Sequence, residues 1–246
     1  FLGGLGQIGR NCAALETENR IILLDCGQMF PDNLPGVDAI LPDFSWVLER
    51  SNQVEGCIIT HAHEDHIGAI AHLWEQFQCP IYTTRFTRNV LLRKLREKGL
   101  DAPIITVSAG EEIQLGPFQV RWLPITHSTP ETHGLLIRTP VGKVLHTADW
   151  KIDSAPIAGE PVRPPLYQAL GRSGLDAIVC DSTNATKPGQ SVSESELFNG
   201  LNRIIAESPQ RVVVGCFSSN VARLQTLGNV SQVTGRYLGL LGRSLQ

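Results

Sequence analysis

The sequence predicts a mixed α/β fold in which sheets are covered by helices. Three observations predict it: short apolar runs rich in β-branched residues recur along most of the chain, helical patterns separate only some of them, and acidic or histidine residues stand just past the ends of five of them. Runs that follow one another directly imply a meander, and runs separated by a helix imply crossovers, so a simple alternating barrel does not fit.

The elements follow in order. Residues 11–24 read as a hairpin turning near Glu18-Asn19, with 21–24 as its apolar second strand. A buried strand is expected at 57–60. It leads to a helix over about residues 67–77, where Ile67, Ile70, Ala71, Trp74 and Phe77 share a face, Gly68 lets the first turn approach its neighbours, and Cys79-Pro80 stops it. A strand at 81–84 precedes a helix over about 87–98 with Phe86, Val90, Leu91 and Leu95 on one face and Gly99 as its stop. Further strands are expected at 104–107, 120–125, 134–138, 143–147 and 177–180. Near the end, Ser193 and Glu196 form a capping box, Leu197, Leu201 and Ile204 make a helix face, and 211–216 reads as a strand.

Whole-chain properties narrow the class. The 246 residues can bury a large core, and a net charge of −3 gives no global reason to bind nucleic acid or a membrane surface. The six cysteines, at 12, 26, 57, 79, 180 and 216, form no C-x-x-C pair and mostly lie in strand-like runs, as reduced core residues of a cytoplasmic protein would. No apolar run is long enough to span a membrane. The chain starts at Phe1 and stops soon after Leu238-Gly239-Leu240-Leu241, and it is expected to be a fragment.

The segment Thr60-His61-Ala62-His63-Glu64-Asp65-His66 carries the chemistry. Three histidines and two carboxylates within six residues are a mixed nitrogen and oxygen donor set of the kind zinc selects. In extended backbone His61 and His63 leave on the same side, while Asp65 and His66 fall in the turn beyond, which suggests two adjacent metal positions. Asp25, His61, His127, Asp149 and Asp181 each follow a predicted strand, and residues at carboxyl ends of covered sheets converge on a crevice. Gly4-x-Gly6-x-x-Gly9 matches a dinucleotide fingerprint, but no strand precedes it and a hairpin follows, so it reads as a tight loop near the crevice. The cluster Arg85, Arg88, Arg93, Lys94, Arg96 and Lys98 reads as a solvated helix face. His72 is assigned to packing or surface, His146 to a strand with a supporting role toward Asp149 in reach, and His133 stays open.

The chain resembles the metallo-beta-lactamase superfamily through His61-x-His63-x-Asp65-His66, and more narrowly the ribonuclease J family of beta-CASP nucleases. The narrower resemblance rests on Gly3-Gly4-Leu5-Gly6-Gln7-Ile8-Gly9-Arg10-Asn11, Leu24-Asp25-Cys26-Gly27, Met29-Phe30-Pro31, Ile40-Leu41-Pro42-Asp43-Phe44, Thr126-His127-Ser128, His146-Thr147-Ala148-Asp149-Trp150 and Asp181-Ser182-Thr183-Asn184-Ala185, all in family order. It implies an αββα sandwich over residues 1–185, incomplete at its C-terminal side, and the start of an inserted beta-CASP α/β domain over 186–246. It also implies that His61, His63 and His127 hold one zinc, that Asp65 and His66 hold a second, and that Asp149 bridges them. Asp65, Asp149 and Asp181 would be catalytic, with Asp181 the first beta-CASP motif and Asp25 a support. The implied activity is metal-dependent hydrolysis of RNA, exonucleolytic, endonucleolytic or both, by a water that two zinc ions activate, in a homo-oligomer (dimer or tetramer). All seven histidines lie before residue 147, whereas the family draws a last histidine ligand from further on. The second metal is therefore expected to be one ligand short and the activity impaired. Hydrolysis of a thioester, lactone or lactam is the enzymatic alternative, and an inactive metal-binding scaffold is the other.

Overall fold

The structure, a computed structural model, describes residues 1–31, 33–242 and 245. β1 (Ala13–Thr17) and β2 (Arg20–Leu24) form the expected hairpin, and Glu18 and Asn19 turn it with φ of 50° and 57°, the left-handed pair that matches strand twist. β3 (Val54–Ile58), β4 (Ile81–Thr83) and β5 (Ile104–Thr106) extend the first sheet in the order β1-β2-β3-β4-β5, all parallel beyond β2. The crossovers carry α1 (Ser45–Leu48), α2 (Glu64–Ile67), α3 (Ile70–Phe77) and α4 (Arg85–Glu97).

The second sheet is a meander of β6 (Glu112–Leu115), β7 (Phe118–Pro124), β8 (His133–Thr139) and β9 (Gly142–His146), to which β10 (Ala177–Val179) adds in parallel after α5 (Pro164–Arg172). Period-two alternation divides the core. Ile22, Leu24 and Ile58 face Phe118, Val120, Trp122, Leu135 and Ile137 between the sheets, while Ile21, Leu23 and Cys57 pack outward against Ile70, Leu73, Phe77, Leu91 and Leu95. Leu123, Leu136 and Leu145 pack under Leu170 of α5, completing four layers, α-β-β-α. Each fully buried aliphatic side chain contributes about 1.5–3 kcal/mol, and a one-residue slip of β2 or β7 would turn its apolar set to the wrong layer. The register is therefore fixed by burial on both faces.

Several expectations are corrected. The helix expected over 67–77 is two, because Gly68 and Ala69 intervene; Ala71 and Trp74 pack against the core as expected, Leu73 is buried beside them, and Trp74 also donates its indole N–H to the Cys79 carbonyl at 2.9 Å. Residues 211–216 form no regular element and join no ladder among the described residues, and Val213 is 88% exposed. An apolar run without an adjacent sheet edge cannot become a strand. The capping box does not close: Ser193 accepts from the Ser195 N–H at the head of a single 3-10 turn, and α6 (Leu197–Glu207) begins only after it. The buried face of α6 is Phe198, Leu201 and Ile205 packed on Leu227 and Val230 of α7 (Val221–Thr234), and Ile204 is exposed. The basic run on α4 is largely solvated, as expected, although Lys94 pairs with Glu64 at 2.8 Å.

Candidate metal centre

The loops that leave β2, β3, β7, β9 and β10 at their carboxyl ends bring Asp25, the 61–66 segment, His127, Asp149 and Asp181 to one side of the sandwich. Two groups form there. The donor atoms of His61, His63, His127 and Asp149 lie within 4.8 Å of one another, as do those of Asp65, His66 and Asp149, so Asp149 belongs to both. His61 Nε2 and His127 Nε2 each lie 3.1 Å from His63 Nδ1, and Asp149 Oδ2 is 4.0 Å from His61 Nε2 and 3.6 Å from His127 Nε2. In the second group Asp149 Oδ1 is 3.2 Å and Asp65 Oδ2 3.6 Å from His66 Nε2.

Buried hydrogen bonds set which ring nitrogens face inward. Thr60 Oγ1 lies 2.9 and 3.1 Å from the Asp25 carboxylate oxygens, which can only accept, so its one hydrogen goes there and the hydroxyl accepts from His61 Nδ1 at 3.0 Å. His61 Nε2 is thereby left with its lone pair toward the cluster. Asp25 also takes the Thr60 N–H and His66 Nδ1, both at 2.8 Å, so one carboxylate orients rings of both groups. Ser128 Oγ meets His63 Nε2 at 3.3 Å, which turns Nδ1 inward. Burial depresses the pKa of His61 well below the ordinary imidazole value, and the neighbouring histidines add to this; burial and His63 bring His127 down to about 4. Neutral imidazoles are the form that ligates a metal. Burial opposes charge on His66, but Asp25 and Asp149 outweigh it and raise its pKa well above the ordinary value. Burial likewise works against ionised Asp149, and His66 overcomes it, followed by His127 and His63, holding Asp149 at about 2.

The backbone around the groups is specialised. Asp25 and Ala148 have φ of 58° and 53°, a conformation that non-glycine residues adopt at a cost. Ala148 is held there by His146, whose Nδ1 accepts its N–H at 3.1 Å, and Asp149 is aimed by the same turn. A Cβ on Gly27 would stand 1.6 Å from the Asp65 carbonyl oxygen, and one on Gly68 would stand 2.3 Å from Gln28 Cγ, so both glycines are required by close approach. The glycine-rich opening borders a crevice of about 740 Å³ that also contains Asp65, His66, Asp149 and Asp181. A second crevice of about 260 Å³ shares Asp149 and Asp181 and runs past His127 to Asn220 at the head of α7.

A family model described as the metallo-beta-lactamase superfamily matches residues 5–151, more than half of the chain. The chain belongs to the metallo-beta-lactamase superfamily. Within that superfamily it is 40% identical over 246 residues to a protein named ribonuclease J from Corynebacterium glutamicum, covering 99% of this chain and 34% of that one. It is also 40% identical over 252 residues to ribonuclease J from Sinorhizobium meliloti, covering 100% of this chain and 45% of the relative. The chain thus spans between a third and a half of the length of these relatives. A crystal structure of a protein of unknown function from Enterococcus faecalis V583 superposes with a TM-score of 0.63 at 18% identity, covering 94% of this chain and 62% of that one, a likeness of fold.

Every residue expected to hold metal stands in one of the two groups. Asp181 does not: its Oδ1 accepts from the N–H and hydroxyl of Thr183, and its carbonyl accepts from the Trp150 indole at 3.1 Å, while its side chain borders both crevices. His72 is exposed, and His133 sits at the start of β8 with Nδ1 on the Glu131 carbonyl, apart from both groups. Sequence reasoning assigned no part to Asn11, Thr60 or Ser128, each of which touches a group member. Thr60 and Ser128 stand next to His61 and His127, which was the available signal for them, while Asn11 is close in sequence to no group member. Cys12, Cys26, Cys57 and Cys79 are unpaired and buried behind the site, where burial pushes Cys79 up to about 12.

Proposed function

We propose that this chain supplies the catalytic core of a zinc-dependent ribonuclease that hydrolyses RNA phosphodiester bonds. The observation that carries the reading is a pair of nitrogen and carboxylate donor groups sharing Asp149, in a chain about 40% identical to proteins named ribonuclease J. A tetrahedral zinc with bonds of about 2.1 Å sets its donors about 3.4 Å apart. Contacts of 3.1, 3.1, 3.6 and 4.0 Å in the first group bracket that spacing, so the residues fit the ion. His61, His63 and His127 would hold one zinc, Asp65 and His66 the other, with Asp149 shared. When bound, two such ions supply a water acidified toward neutrality and a clamp on the oxygens of an in-line displacement at phosphorus.

The chain's own residues prepare that chemistry. Asp149 is anionic across the working pH range, so its two oxygens can face two cations at once. Asp25 fixes the rings of His61 and His66 and spares the metals that reorganisation. Asp181 and the Trp150 indole tie the 181–183 turn beside Asp149, where it edges both crevices and would guide the substrate strand.

Residues 186–246 are proposed as part of a beta-CASP unit that closes over the centre. Its supports are the separate Ile205, Leu227 and Val230 core, the Ser193 hydroxyl bond to Asp153 at 2.8 Å, and the paired Arg223 and Glu194 at 2.5 Å beside the smaller crevice. A cytoplasmic location is proposed from unpaired cysteines and a homo-oligomer from the ribonuclease J likeness. Among the described residues no helix is long and apolar enough to cross a membrane. The deciding experiment offers end-labelled RNA and a chromogenic lactam to the zinc-loaded protein, extended to the length of its relatives. Nucleotide release that Asp149→Asn abolishes is expected, and lactam turnover with intact RNA would overturn the reading.

A further inference from the structure

The glycine-rich opening and Asn11 are left over once the metal ligands are assigned, and they meet at one point. Asn11 lies across the turn that carries Asp65 and His66: its N–H donates to the Asp65 carbonyl at 2.9 Å, and its own carbonyl accepts from the Gly27 N–H at 3.0 Å. Its side-chain Nδ2 then stands 3.1 Å from Asp65 Oδ2 and 3.1 Å from His66 Nε2. Those two atoms, with Asp149, are the donors of the second group. One amide nitrogen therefore spans both donors that the 64–66 turn contributes.

We propose that Asn11 is the positioning residue of the second metal position, presetting the spacing of Asp65 and His66, and that the glycine-rich opening serves to seat its amide. The inference rests on the reading of Asp65, His66 and Asp149 as a metal site.

The chemistry of the side chain suits the task. An uncharged NH2 donates to Asp65 Oδ2 and sets the distance to His66 Nε2 by contact, leaving that ring nitrogen to Asp149 and to an incoming metal. A lysine there would repel an incoming cation, and a carboxylate would repel Asp65 while the site is empty. His66 is clamped from its other side by Asp25, with Nδ1 on that carboxylate at 2.8 Å, so the ring is fixed at both nitrogens. Asp65 is the more exposed ligand, with 31% of its side chain accessible, and has the greater need of a fixed partner.

The opening segment explains itself by the same contact. Gly4 has φ of 87°, and a Cβ there would stand 2.7 Å from Asn11 Oδ1 and 3.1 Å from Asn11 Cα. A Cβ on Gly3 would stand 2.3 Å from the Arg10 carbonyl oxygen. The glycines are thus a slot for residues 10 and 11, with the amide oxygen against Gly4 and the NH2 toward the metal ligands. This accounts for Gly3 and Gly4 of the glycine-rich opening.

The test is calorimetric zinc titration of the metal-free protein, with Asn11→Leu and Gly4→Ala alongside. Leucine keeps the volume and both backbone hydrogen bonds but offers no donor; alanine at position 4 pushes the amide from its slot. The second, weaker site is expected to lose about 10-fold to 100-fold in affinity in both variants. The tight site of His61, His63 and His127 should keep the native affinity, which also shows that the variants fold. Two sites of native affinity in both variants would overturn the role of Asn11 while leaving the second site standing. Equal weakening of both sites would overturn it as well, by making Asn11 a general structural residue. A native protein that takes up no second zinc would overturn the inference and the metal reading of Asp65 and His66 together.

Discussion

Replacing Thr60 by Val removes one hydroxyl at nearly constant shape from a fully buried position between Asp25 and His61. Asp25 keeps the Thr60 N–H and His66 Nδ1, each at 2.8 Å, but loses its third donor. His61 loses the acceptor of its Nδ1 hydrogen in a site without water access. Stranding one buried donor costs about 1–3 kcal/mol. The imidazole can avoid that cost by moving its proton to Nε2, which closes the lone pair that faces His63 and Asp149. Either route weakens metal binding at the first position, by about 10-fold to 100-fold, or about 1.4 to 2.8 kcal/mol. Calorimetric zinc titration measures it, and a thermal melt of the metal-free protein should fall as well. A Thr60→Val protein that folds and binds its tight zinc with native affinity would refute the claim that Asp25 orients His61 through this hydroxyl.

Other perturbations follow from the same geometry. His61→Ala or His63→Ala should remove the tightly retained zinc on dialysis, read by metal analysis; undiminished metal in both would displace the assignment. Asp149→Asn should abolish RNA cleavage, because a neutral amide cannot face two cations as a carboxylate does, and should lower the metal-free melt without unfolding the protein, because His66 loses its ion pair with the carboxylate. Gly27→Ala should cost at least about 1–3 kcal/mol and displace the 64–66 turn, since its Cβ would overlap the Asp65 carbonyl; unchanged melting and zinc stoichiometry would contradict this. Asp153→Asn should destabilise at neutral pH. Burial pushes the Asp153 carboxyl up, but Ser193, the Ala155 N–H and Lys151 together hold its pKa below the ordinary value. Its contribution is thus complete above about pH 4 and is lost as pH falls through the lower folded value, so the two proteins' stabilities should converge in acid.

The ladder of the two sheets was legible because burial on both faces leaves continuous apolar runs such as 21–24 and 57–59, which periodicity detects. The site was legible for a related reason: Asp25, His61, His127 and Asp149 interrupt those runs at their carboxyl ends, where a buried charge needs a purpose. What escaped was decided by partners distant in sequence. The run 211–216 has strand composition and no edge to join, and α6 turns Ile205 rather than Ile204 inward because α7 lies against that face. β6 alternates as Glu112-Ile113-Gln114-Leu115, too short a pattern to separate from a loop. α5 was signalled by Pro164-Pro165 and the Leu166, Tyr167, Leu170 spacing, which went unread. The supporting atoms of Asn11, Thr60 and Ser128 carry no periodic signal, and only their positions in space give them meaning.

The central claim is that two metal ions share Asp149 between the histidine triad and the Asp65-His66 pair. Diffraction from zinc-soaked crystals, recorded on both sides of the zinc absorption edge, tests it most directly. Two anomalous peaks about 3.5 to 4 Å apart are predicted, one within bonding distance of His61 Nε2, His63 Nδ1 and His127 Nε2 and the other beside Asp65 and His66, with Asp149 touching both. A single peak away from these residues, or none at saturating zinc, would contradict the account.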